Sequence, residues 1–183
     1  MLHIITPCSR PFNLLKILDT IPTEAKWIIC YDNKHGDLPI KSYNNIEILN
    51  CVDTGAYGVK ARNHVLDNYC FNDNDSILFH DDDNIIHPDL YAEIQPLLDN
   101  DFSMICWGQL SPDNSMRLYP PRKRPRMHRI DTASYLIKWG YNKNIRHVER
   151  FGHDCHYAKD CYNKKKAIRI NKFLSYYNYL RNT

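Results

Sequence analysis

Short apolar runs rich in Ile, Val and aromatic residues alternate along the chain with longer, more polar segments. Runs of this length and composition are typical of strands that are buried on both faces of a sheet. Strands are predicted at residues 2–6, 26–32, 46–52, 76–80 and 102–110. Strands that alternate with helical segments predict an α/β fold, in which helices pack on both sides of a mostly parallel central sheet.

Three of the intervening segments have the features of helices. Proline opens two of them, residues 11–21 and 88–98, as expected for the first turn of a helix. A third helix is expected directly after the glycine-bearing turn at residues 55–58, because apolar residues recur there with helical period. The buried face of this third helix is predicted to hold Val59, Asn63, Leu66 and Cys70.

Two segments have no clear periodic pattern. Residues 119–129, with the sequence YPPRKRPRMHR, are rich in proline and basic side chains, and this composition predicts a mobile loop. Residues 167–174 lie in a basic and then aromatic tail, where the pattern fits a strand and a helix equally well.

Composition limits the class of protein. The chain has 183 residues, 43% of them hydrophobic, which is enough for a single domain spanning residues 1–183. The net charge of +3 predicts no general affinity for nucleic acid or for anionic membranes. Seven cysteines without a C-x-x-C pair argue against a disulfide framework and against a zinc site. No stretch approaches the roughly 18 apolar residues of a membrane helix, so we expect a cytoplasmic protein without a transmembrane segment.

The strongest candidate for chemistry is the run Asp81, Asp82 and Asp83, which directly follows the predicted strand 76–80. In open α/β sheets the carboxyl ends of strands border the ligand crevice. Three adjacent carboxylates repel one another unless a cation neutralises them, and Mg²⁺ or Mn²⁺ binds carboxylates together with the oxygens of a diphosphate. The motif therefore indicates a metal and diphosphate site, and the alternative is a solvated turn that caps the next helix.

Several motifs occur in an order that resembles a known family. The segment GAYGVKARN, residues 55–63, precedes the acidic motif by about twenty residues, as it does in nucleotide-sugar-dependent glycosyltransferases of the GT-A fold. The opening segment IITPCSRP is similar to that of the large inverting family 2 of these enzymes, and Asp32 ends the second predicted strand. The resemblance covers residues 2–109 and thins beyond residue 110. It implies a nucleotide-sugar-binding half at about 1–110 and an acceptor-binding half at about 111–183.

The resemblance also implies which residues bind the donor. They belong to the opening loop, the end of the second strand, the glycine turn with its helix, and the acidic motif: Pro7, Cys8, Ser9, Arg10, Asp32, Gly55, Tyr57, Gly58, Arg62, Asn63, Asp81 and Asp82. Mn²⁺ or Mg²⁺ would be bound by Asp83, with Asp81 and His153 as further ligands. Without the family context, Asp32 is equally well explained as a turn carboxylate, and the glycines as parts of an ordinary loop.

An inverting transfer also needs a carboxylate that takes the proton of the acceptor hydroxyl. The resemblance favours Asp154, at the start of a helix predicted from RFGHDCHYAKDCY, over Glu149 and Asp131 as this base. Asp131 and Trp107 are expected to contact the acceptor. An aspartate before a helix is also a good N-cap, which is the structural alternative for such a residue.

The basic part of the loop 119–129 has two interpretations. A lid that closes over the diphosphate would use Arg122, Lys123, Arg124 and Arg126. A patch for nucleic acid or nuclear import is the other interpretation. We favour the lid, because the resemblance implies a mobile loop beside the site that closes over the diphosphate.

The sequence therefore predicts a metal-dependent glycosyltransferase that moves a sugar from a nucleoside diphosphate to a hydroxyl group, with inversion. The donor is expected to be a UDP-sugar rather than a GDP-sugar, and the acceptor a glycan, a lipid or a protein. Two enzymatic alternatives use clustered carboxylates with Mg²⁺, a nucleotidyltransferase and a metal-dependent phosphohydrolase. A binding module for nucleotide sugars without catalytic activity is the third alternative.

Overall fold

The first half of the chain forms a parallel sheet in a computed structural model that describes residues 1–121 and 124–181. Its strands are β1 (Leu2–Cys8), β2 (Lys26–Tyr31), β3 (Ile46–Asn50) and β4 (Ser76–Phe79). β1 lies between β2 and β4, and β3 pairs with the outer side of β2. All three pairings are parallel, so the carboxyl ends of these four strands meet at one edge.

The second half of the chain extends this sheet with strands of both directions. These strands are β5 (Met104–Leu110), β6 (Met116–Leu118), β7 (Tyr135–Lys138) and β8 (Ala167–Tyr176). β7 is antiparallel to both β4 and β5, β6 is antiparallel to the end of β5, and β8 runs parallel to β5. Four of the seven pairings are parallel, which confirms the predicted α/β class with a mostly parallel sheet.

Helices cover the two faces of the sheet. Those in the described ranges are α1 (Leu14–Leu18), α2 (Val59–Asn68), α3 (Leu90–Ile94), α4 (Trp139–Asn142) and α5 (His153–Cys161). α1 and α3 contribute to one hydrophobic cluster, and α2, α4 and α5 contribute to the other. Because neighbouring residues of a strand point to opposite faces, Ile4 belongs to the first cluster and Ile5 to the second.

The predicted strands are confirmed, but two helices are shorter than the pattern indicated. Residues 11–21 contain a 3₁₀ turn followed by α1, and residues 88–98 contain α3 followed by a second 3₁₀ turn. The face of α2 is corrected as well, since Val59 and Leu66 are buried while Cys70 is exposed. Asn63, also assigned to that face, is only half-buried, and Arg62 is buried in its place.

The tail and the loop can also be compared with the sequence. Residues 167–174 lie in β8, so the strand alternative is correct. Residues 119–121 and 124–129 form neither helix nor strand, as the proline-rich composition predicted. The strands β6 and β7 were not predicted, because β6 has three residues and β7 continues directly into α4. None of the helices in the described ranges is long and apolar enough to cross a lipid bilayer.

Candidate functional site

A cavity of about 580 Å³ opens at the edge where the parallel strands end. Its walls come from the opening loop after β1, the glycine turn before α2, the acidic motif after β4, residues 127–132, the start of α5 and the C-terminal segment. Twelve of the predicted site residues line it: Pro7, Ser9, Arg10, Gly55, Tyr57, Gly58, Asp81, Asp82, Asp83, Asp131, His153 and Asp154. Segments far apart in sequence therefore meet in one place.

Asp82, in the middle of the acidic motif, fixes the opening loop. One of its oxygens accepts hydrogen bonds from the backbone nitrogens of Ser9 at 2.5 Å and Arg10 at 2.6 Å, and from the Ser9 hydroxyl at 3.0 Å. Its other oxygen accepts from the Arg10 guanidinium at 2.5 Å. Asp82 is buried, so its main role is to join the loop after β1 to the end of β4.

Asp81 and Asp83 are held by arginines on opposite sides. Arg62 is buried beneath the cavity, where it pairs with Asp81 and donates a hydrogen bond to the Tyr57 carbonyl at 2.5 Å. Asp83 accepts a hydrogen bond from Arg181 Nε at 2.9 Å, and the same carboxylate lies 3.4 Å from the Arg10 guanidinium. Burial, and next to it the charge of Asp81, raises the pKa of Asp83. The carboxylates of the motif are therefore each balanced by an arginine.

The glycine turn approaches the opening loop very closely. Gly55, Tyr57 and Gly58 all have positive φ, at 72°, 57° and 70°. A Cβ atom on Gly58 would lie 2.7 Å from the Pro7 ring, so only glycine fits there. The ring of Tyr57 stacks on His153 with centroids 5.6 Å apart, which brings the turn against α5.

Two further carboxylates, Asp131 and Asp154, line the same cavity. Burial and the neighbouring charge of Asp154 raise the pKa of Asp131 to about 6. Burial alone would raise the pKa of Asp154, but hydrogen bonds from His153 and Thr132 outweigh it and lower that pKa. Thr132 Oγ1 and His153 Nδ1 both contact the same Asp154 oxygen, at 2.5 and 2.9 Å. The other oxygen of Asp154 has no protein partner among the described residues.

Asp131 is more fully engaged than Asp154. Its Oδ1 accepts a hydrogen bond from the Ala133 backbone at 3.2 Å, and its Oδ2 lies 3.3 Å from the Arg117 guanidinium. The same carboxylate caps the short 3₁₀ helix that precedes β7. Both oxygens of Asp131 therefore have partners in the protein.

Six predicted site residues lie outside the cavity lining: Cys8, Asp32, Arg62, Asn63, Trp107 and Glu149. Asp32 is buried and accepts backbone hydrogen bonds from Lys34 at 3.2 Å and Thr54 at 3.0 Å. It ties together the segments that follow β2 and β3, as the turn alternative predicted. The thiol of Cys8 is buried, and burial raises its pKa to about 12.

Asn63 and Glu149 hold the segment before α5 against the glycine turn. Asn63 exchanges two hydrogen bonds with the His147 backbone, both at 2.9 Å. Glu149 is exposed and accepts from the Ala56 backbone at 3.0 Å. Since Glu149 does not line the cavity, Asp131 and Asp154 are the better placed candidates for a base.

The predicted contact between Trp107 and an acceptor is wrong. Trp107 is fully buried in the core of the sheet, and its indole nitrogen donates to the Ala133 carbonyl at 3.1 Å. An aromatic residue on a strand can serve either in the core or at a surface, and here β8 and the 3₁₀ helix before β7 cover it. Trp107 has no face left for a ligand.

The C-terminal segment supplies site residues that the sequence did not reveal. The backbone nitrogen of Leu180 donates to the Asp83 carbonyl at 2.7 Å, and that of Tyr179 to the Asn84 side chain at 3.0 Å. Arg181 follows directly and reaches Asp83. No motif marks these residues, and only the return of the chain after β8 places them here.

Arg117 is a second residue that the sequence did not reveal. It lies on β6, and its guanidinium stacks over the Tyr177 ring at 3.4 Å while it also contacts Asp131. Arg117 and Tyr177 both line the cavity. A single arginine on a strand of only three residues forms no motif that could be recognised in one sequence.

The predicted lid is described only in part. Arg122 and Lys123 lie outside the described residues. Arg124 and Arg126 are exposed and do not line the cavity, whereas Met127 and His128 of the same loop do. The closing of this loop over a diphosphate stays a prediction.

A divalent cation fits this site only if a ligand shares it. Within residues 1–121 and 124–181, no three His, Cys, Asp or Glu side chains are grouped as a metal cage. Asp81 and Asp83 nevertheless line the same cavity. Mg²⁺ or Mn²⁺ with one or two carboxylates and diphosphate oxygens matches this donor set. His153 also lines the cavity, and its Nδ1 lies 2.9 Å from an Asp154 oxygen.

Comparisons with known proteins give the fold and little more. No family model matches the sequence, and no curated protein matches it. The crystal structure of S. aureus TarS 1-349, a glycosyltransferase, superposes with a TM-score of 0.70 at 14% sequence identity. The alignment covers 96% of this chain and 59% of the TarS chain, so the present chain spans about three fifths of that length. The chain therefore has a glycosyltransferase-like α/β fold.

Proposed function

We propose that the protein is a glycosyltransferase that moves a sugar from a nucleoside diphosphate to an acceptor hydroxyl group, with inversion. One observation carries the proposal. One cavity is lined both by an acidic motif flanked by arginines and by the carboxylates Asp131 and Asp154 from the second half of the chain. The first group suits a charged diphosphate, and the second suits a hydroxyl group that must lose its proton. A fold shared with TarS supports the same class of reaction.

On the donor side, we assign the diphosphate to the arginines and the divalent cation to the carboxylates. Arg10 and Arg181 line the cavity and are partly exposed, so that Arg10 can turn from Asp82 and Arg181 from Asp83 to the oxygens of a diphosphate. Asp83 and Asp81 would hold Mn²⁺ or Mg²⁺, with the remaining ligands supplied by the diphosphate. When bound, such an ion stabilises the negative charge that develops on the leaving phosphate.

The remaining donor contacts come from backbone. Pro7 and Ser9 line the cavity beside Gly55 and Gly58, and glycine at position 58 lets the turn lie close against Pro7. We assign the nucleoside to this side, with UDP favoured over GDP. Asp32 and Asp82 contribute indirectly, because their hydrogen bonds hold the loops that carry these residues.

On the acceptor side, we assign the base to Asp154. Its Oδ2 has no protein partner in the described part of the chain, and its lowered pKa keeps it ionised at neutral pH. His153 and Thr132 fix the orientation of the carboxylate by bonding its other oxygen. Asp131 has both oxygens engaged and is assigned to the acceptor contact. The proton passes from the acceptor hydroxyl to Asp154 as the oxygen attacks the anomeric carbon.

Turnover with a panel of UDP- and GDP-sugars in the presence of Mn²⁺ tests the proposal, with released nucleoside diphosphate as the readout. The wild type is compared with Asp154→Asn and with Asp160→Asn, an exposed position on the same helix. We expect turnover with one donor, a loss of about 10²- to 10⁴-fold in Asp154→Asn, and wild-type turnover in Asp160→Asn.

Donor binding is measured on the same three proteins. Unchanged donor affinity in Asp154→Asn, together with lost turnover, is expected of a catalytic base. A protein that binds a nucleotide sugar and turns over none with any acceptor would instead be a binding module, and the proposal would fail. Full turnover in Asp154→Asn would move the base to Asp131.

A further inference from the structure

A second cavity, of about 860 Å³, lies beside the first and is not used by the proposed reaction. Its lining is dominated by four arginines and two aromatic rings, and we call it the basic groove. These residues are Arg124, Arg126, Arg129, Arg169, Tyr119 and Phe173. No aspartate or glutamate belongs to its described lining.

The positive charge of the basic groove is not neutralised by the protein. None of its four guanidinium groups pairs with a carboxylate in the described part of the chain. Arg124 donates only to the Lys159 carbonyl, at 3.3 Å, and Arg169 only to the Asn171 side chain, at 2.6 Å. Five other arginines each pair with an aspartate: Arg10, Arg62, Arg117, Arg146 and Arg181. The groove is therefore a place where unpaired guanidinium groups are concentrated.

The floor of the basic groove is aromatic and depends on a glycine. Phe173 packs on β5 at Gly108, where a Cβ atom would lie 2.6 Å from the ring. The pairing of β5 with β8 shifts register at this point. Tyr119 meets Phe173 edge to face with centroids 5.7 Å apart, and 63% of Tyr119 is exposed. The ring of Tyr119 is therefore exposed to solvent beside the arginines of the groove.

The basic groove and the first cavity share a wall. Arg126 and Arg129 line the groove, and they are joined by a backbone hydrogen bond of 3.0 Å across a turn. Met127 and His128, the two residues inside this turn, line the first cavity. A ligand extended along the groove therefore ends near Asp131, which lines the first cavity on the same side.

We propose that the basic groove binds the acceptor, and that the acceptor is an anionic oligosaccharide whose sugars carry phosphate, sulfate or carboxylate groups. The inference rests on the proposed function. Guanidinium groups bind such oxyanions through paired hydrogen bonds, and the exposed face of Tyr119 offers an apolar surface to a sugar ring. A net charge of only +3 for the chain makes the groove a local feature rather than part of a basic surface.

Binding of a fluorescent heparin-derived hexasaccharide tests this proposal, with maltohexaose as the neutral control and a single-stranded oligonucleotide of equal charge as the rival ligand. We expect the wild type to bind the hexasaccharide and not maltohexaose. Arg129→Ala/Arg169→Ala should weaken binding by about tenfold or more, since each tenfold change is about 1.4 kcal/mol. Lys41→Ala/Lys143→Ala removes the same charge from exposed positions elsewhere and should change affinity less than about twofold.

A further variant separates sugar recognition from simple charge attraction. Tyr119→Ala keeps every arginine, so a loss of hexasaccharide affinity of about threefold or more indicates contact with the sugar ring. Equal affinity for the hexasaccharide in all four proteins would overturn the proposal. Tighter binding of the oligonucleotide than of the hexasaccharide would overturn it as well, in favour of a nucleic-acid surface.

Donor binding, measured in parallel, distinguishes this inference from the proposed function. Arg129→Ala/Arg169→Ala should keep the stabilisation by nucleotide and Mn²⁺, because neither arginine lines the first cavity or belongs to the predicted lid. Retained donor binding with no effect of the arginines on the hexasaccharide would refute the groove alone. Groove binding in a protein that no nucleotide stabilises would refute the proposed function and the acceptor role together.

Discussion

The three consecutive aspartates of the acidic motif have three different environments. Asp82 is occupied by four hydrogen bonds to the opening loop, Asp81 pairs with the buried Arg62, and Asp83 is bound by a residue from the far end of the chain. Strand geometry explains part of this difference, because successive side chains after a strand point in different directions. The motif thus joins the loops of the site at its middle residue, while its outer two residues each pair with an arginine from another segment.

Asp131 should destabilise the folded protein at neutral and alkaline pH. Its pKa is about 6 in the folded protein and about 4 in an unfolded chain, so the folded state favours the neutral acid. The penalty is absent below about pH 4, where both states are protonated, grows between about pH 4 and about pH 6, and is constant above that. Asp131→Asn should therefore raise the free energy of unfolding by about 2 to 3 kcal/mol at about pH 8 and leave it unchanged at about pH 4.

Urea denaturation of the free protein at several pH values between about 4 and 8 measures this effect. Asp37→Asn, at an exposed position, is the control, and it should change the free energy of unfolding by less than about 0.5 kcal/mol. A stability gain for Asp131→Asn that is the same at both ends of this pH range would contradict the assigned pKa. A loss of stability at the alkaline end would show that the ionised carboxylate is needed for its pair with Arg117.

At the scale of elements, the site is formed by loops that pack against one another at the ends of the parallel strands. The glycine turn before α2 touches the opening loop after β1, and both adopt conformations that their contacts impose. The Arg62 guanidinium donates a hydrogen bond to the Tyr57 carbonyl in this turn, and the Tyr57 ring stacks on His153 of α5. These contacts explain why the first turn of α2 is set by tertiary packing as well as by its own sequence.

Gly58→Ala should be costly because it adds a steric clash to backbone strain. Gly58 has φ of 70°, and its Cβ would lie 2.7 Å from Pro7. Gly36 is a matched control, since it has φ of 92° and a Cβ added there would have no atom within 4 Å. We expect a loss of about 1 kcal/mol for Gly36→Ala and of about 2 to 4 kcal/mol for Gly58→Ala, by chemical denaturation. Equal losses in the two variants would show that the turn can move away from the opening loop.

Asp82→Ala should loosen the opening loop. The change leaves the backbone nitrogens of Ser9 and Arg10 and the Arg10 guanidinium without their acceptor. Such losses cost about 2 to 4 kcal/mol where the acceptor is buried. Asp113→Ala removes an aspartate that accepts two bonds from Ser115 in an exposed turn, and it should cost less than about 1 kcal/mol.

Denaturation curves for Asp82→Ala and Asp113→Ala are compared with that of the wild type. Similar stability losses in both variants would indicate that Asp82 acts as an ordinary turn residue. In that case the opening loop would owe its position to β1 alone.

At the scale of the whole molecule, the sheet topology brings together segments that a sequence keeps far apart. The parallel strands of the first half were predictable, because each is a short apolar run followed by a turn or helix signal. The class of fold and the edge that carries the site follow from those runs. The acidic motif, the opening loop and the glycine turn were therefore recognisable before their contacts were known.

The second half of the site was less predictable, for a physical reason. Arg117 lies on a strand of three residues, and Arg181 reaches Asp83 only because β8 returns the chain past β5. Contacts of this kind depend on long-range packing rather than on local periodicity. For the same reason the sequence predicts an acceptor contact for Trp107, although this residue lies in the middle of β5 and the core encloses it.

The central claim is that the acidic motif binds a nucleoside diphosphate together with a divalent cation. Thermal unfolding of the wild type, Asp83→Ala and the exposed control Asp89→Ala tests it most directly, with UDP or GDP, each with and without Mn²⁺. A ligand at about 100 times its Kd adds about 2.7 kcal/mol, so one nucleotide with Mn²⁺ should raise Tm by about 5 °C or more in a protein of this size. We expect this rise in Tm in the wild type and in Asp89→Ala, and we expect Asp83→Ala to lose it. No stabilisation by either nucleotide, with or without Mn²⁺, would contradict it.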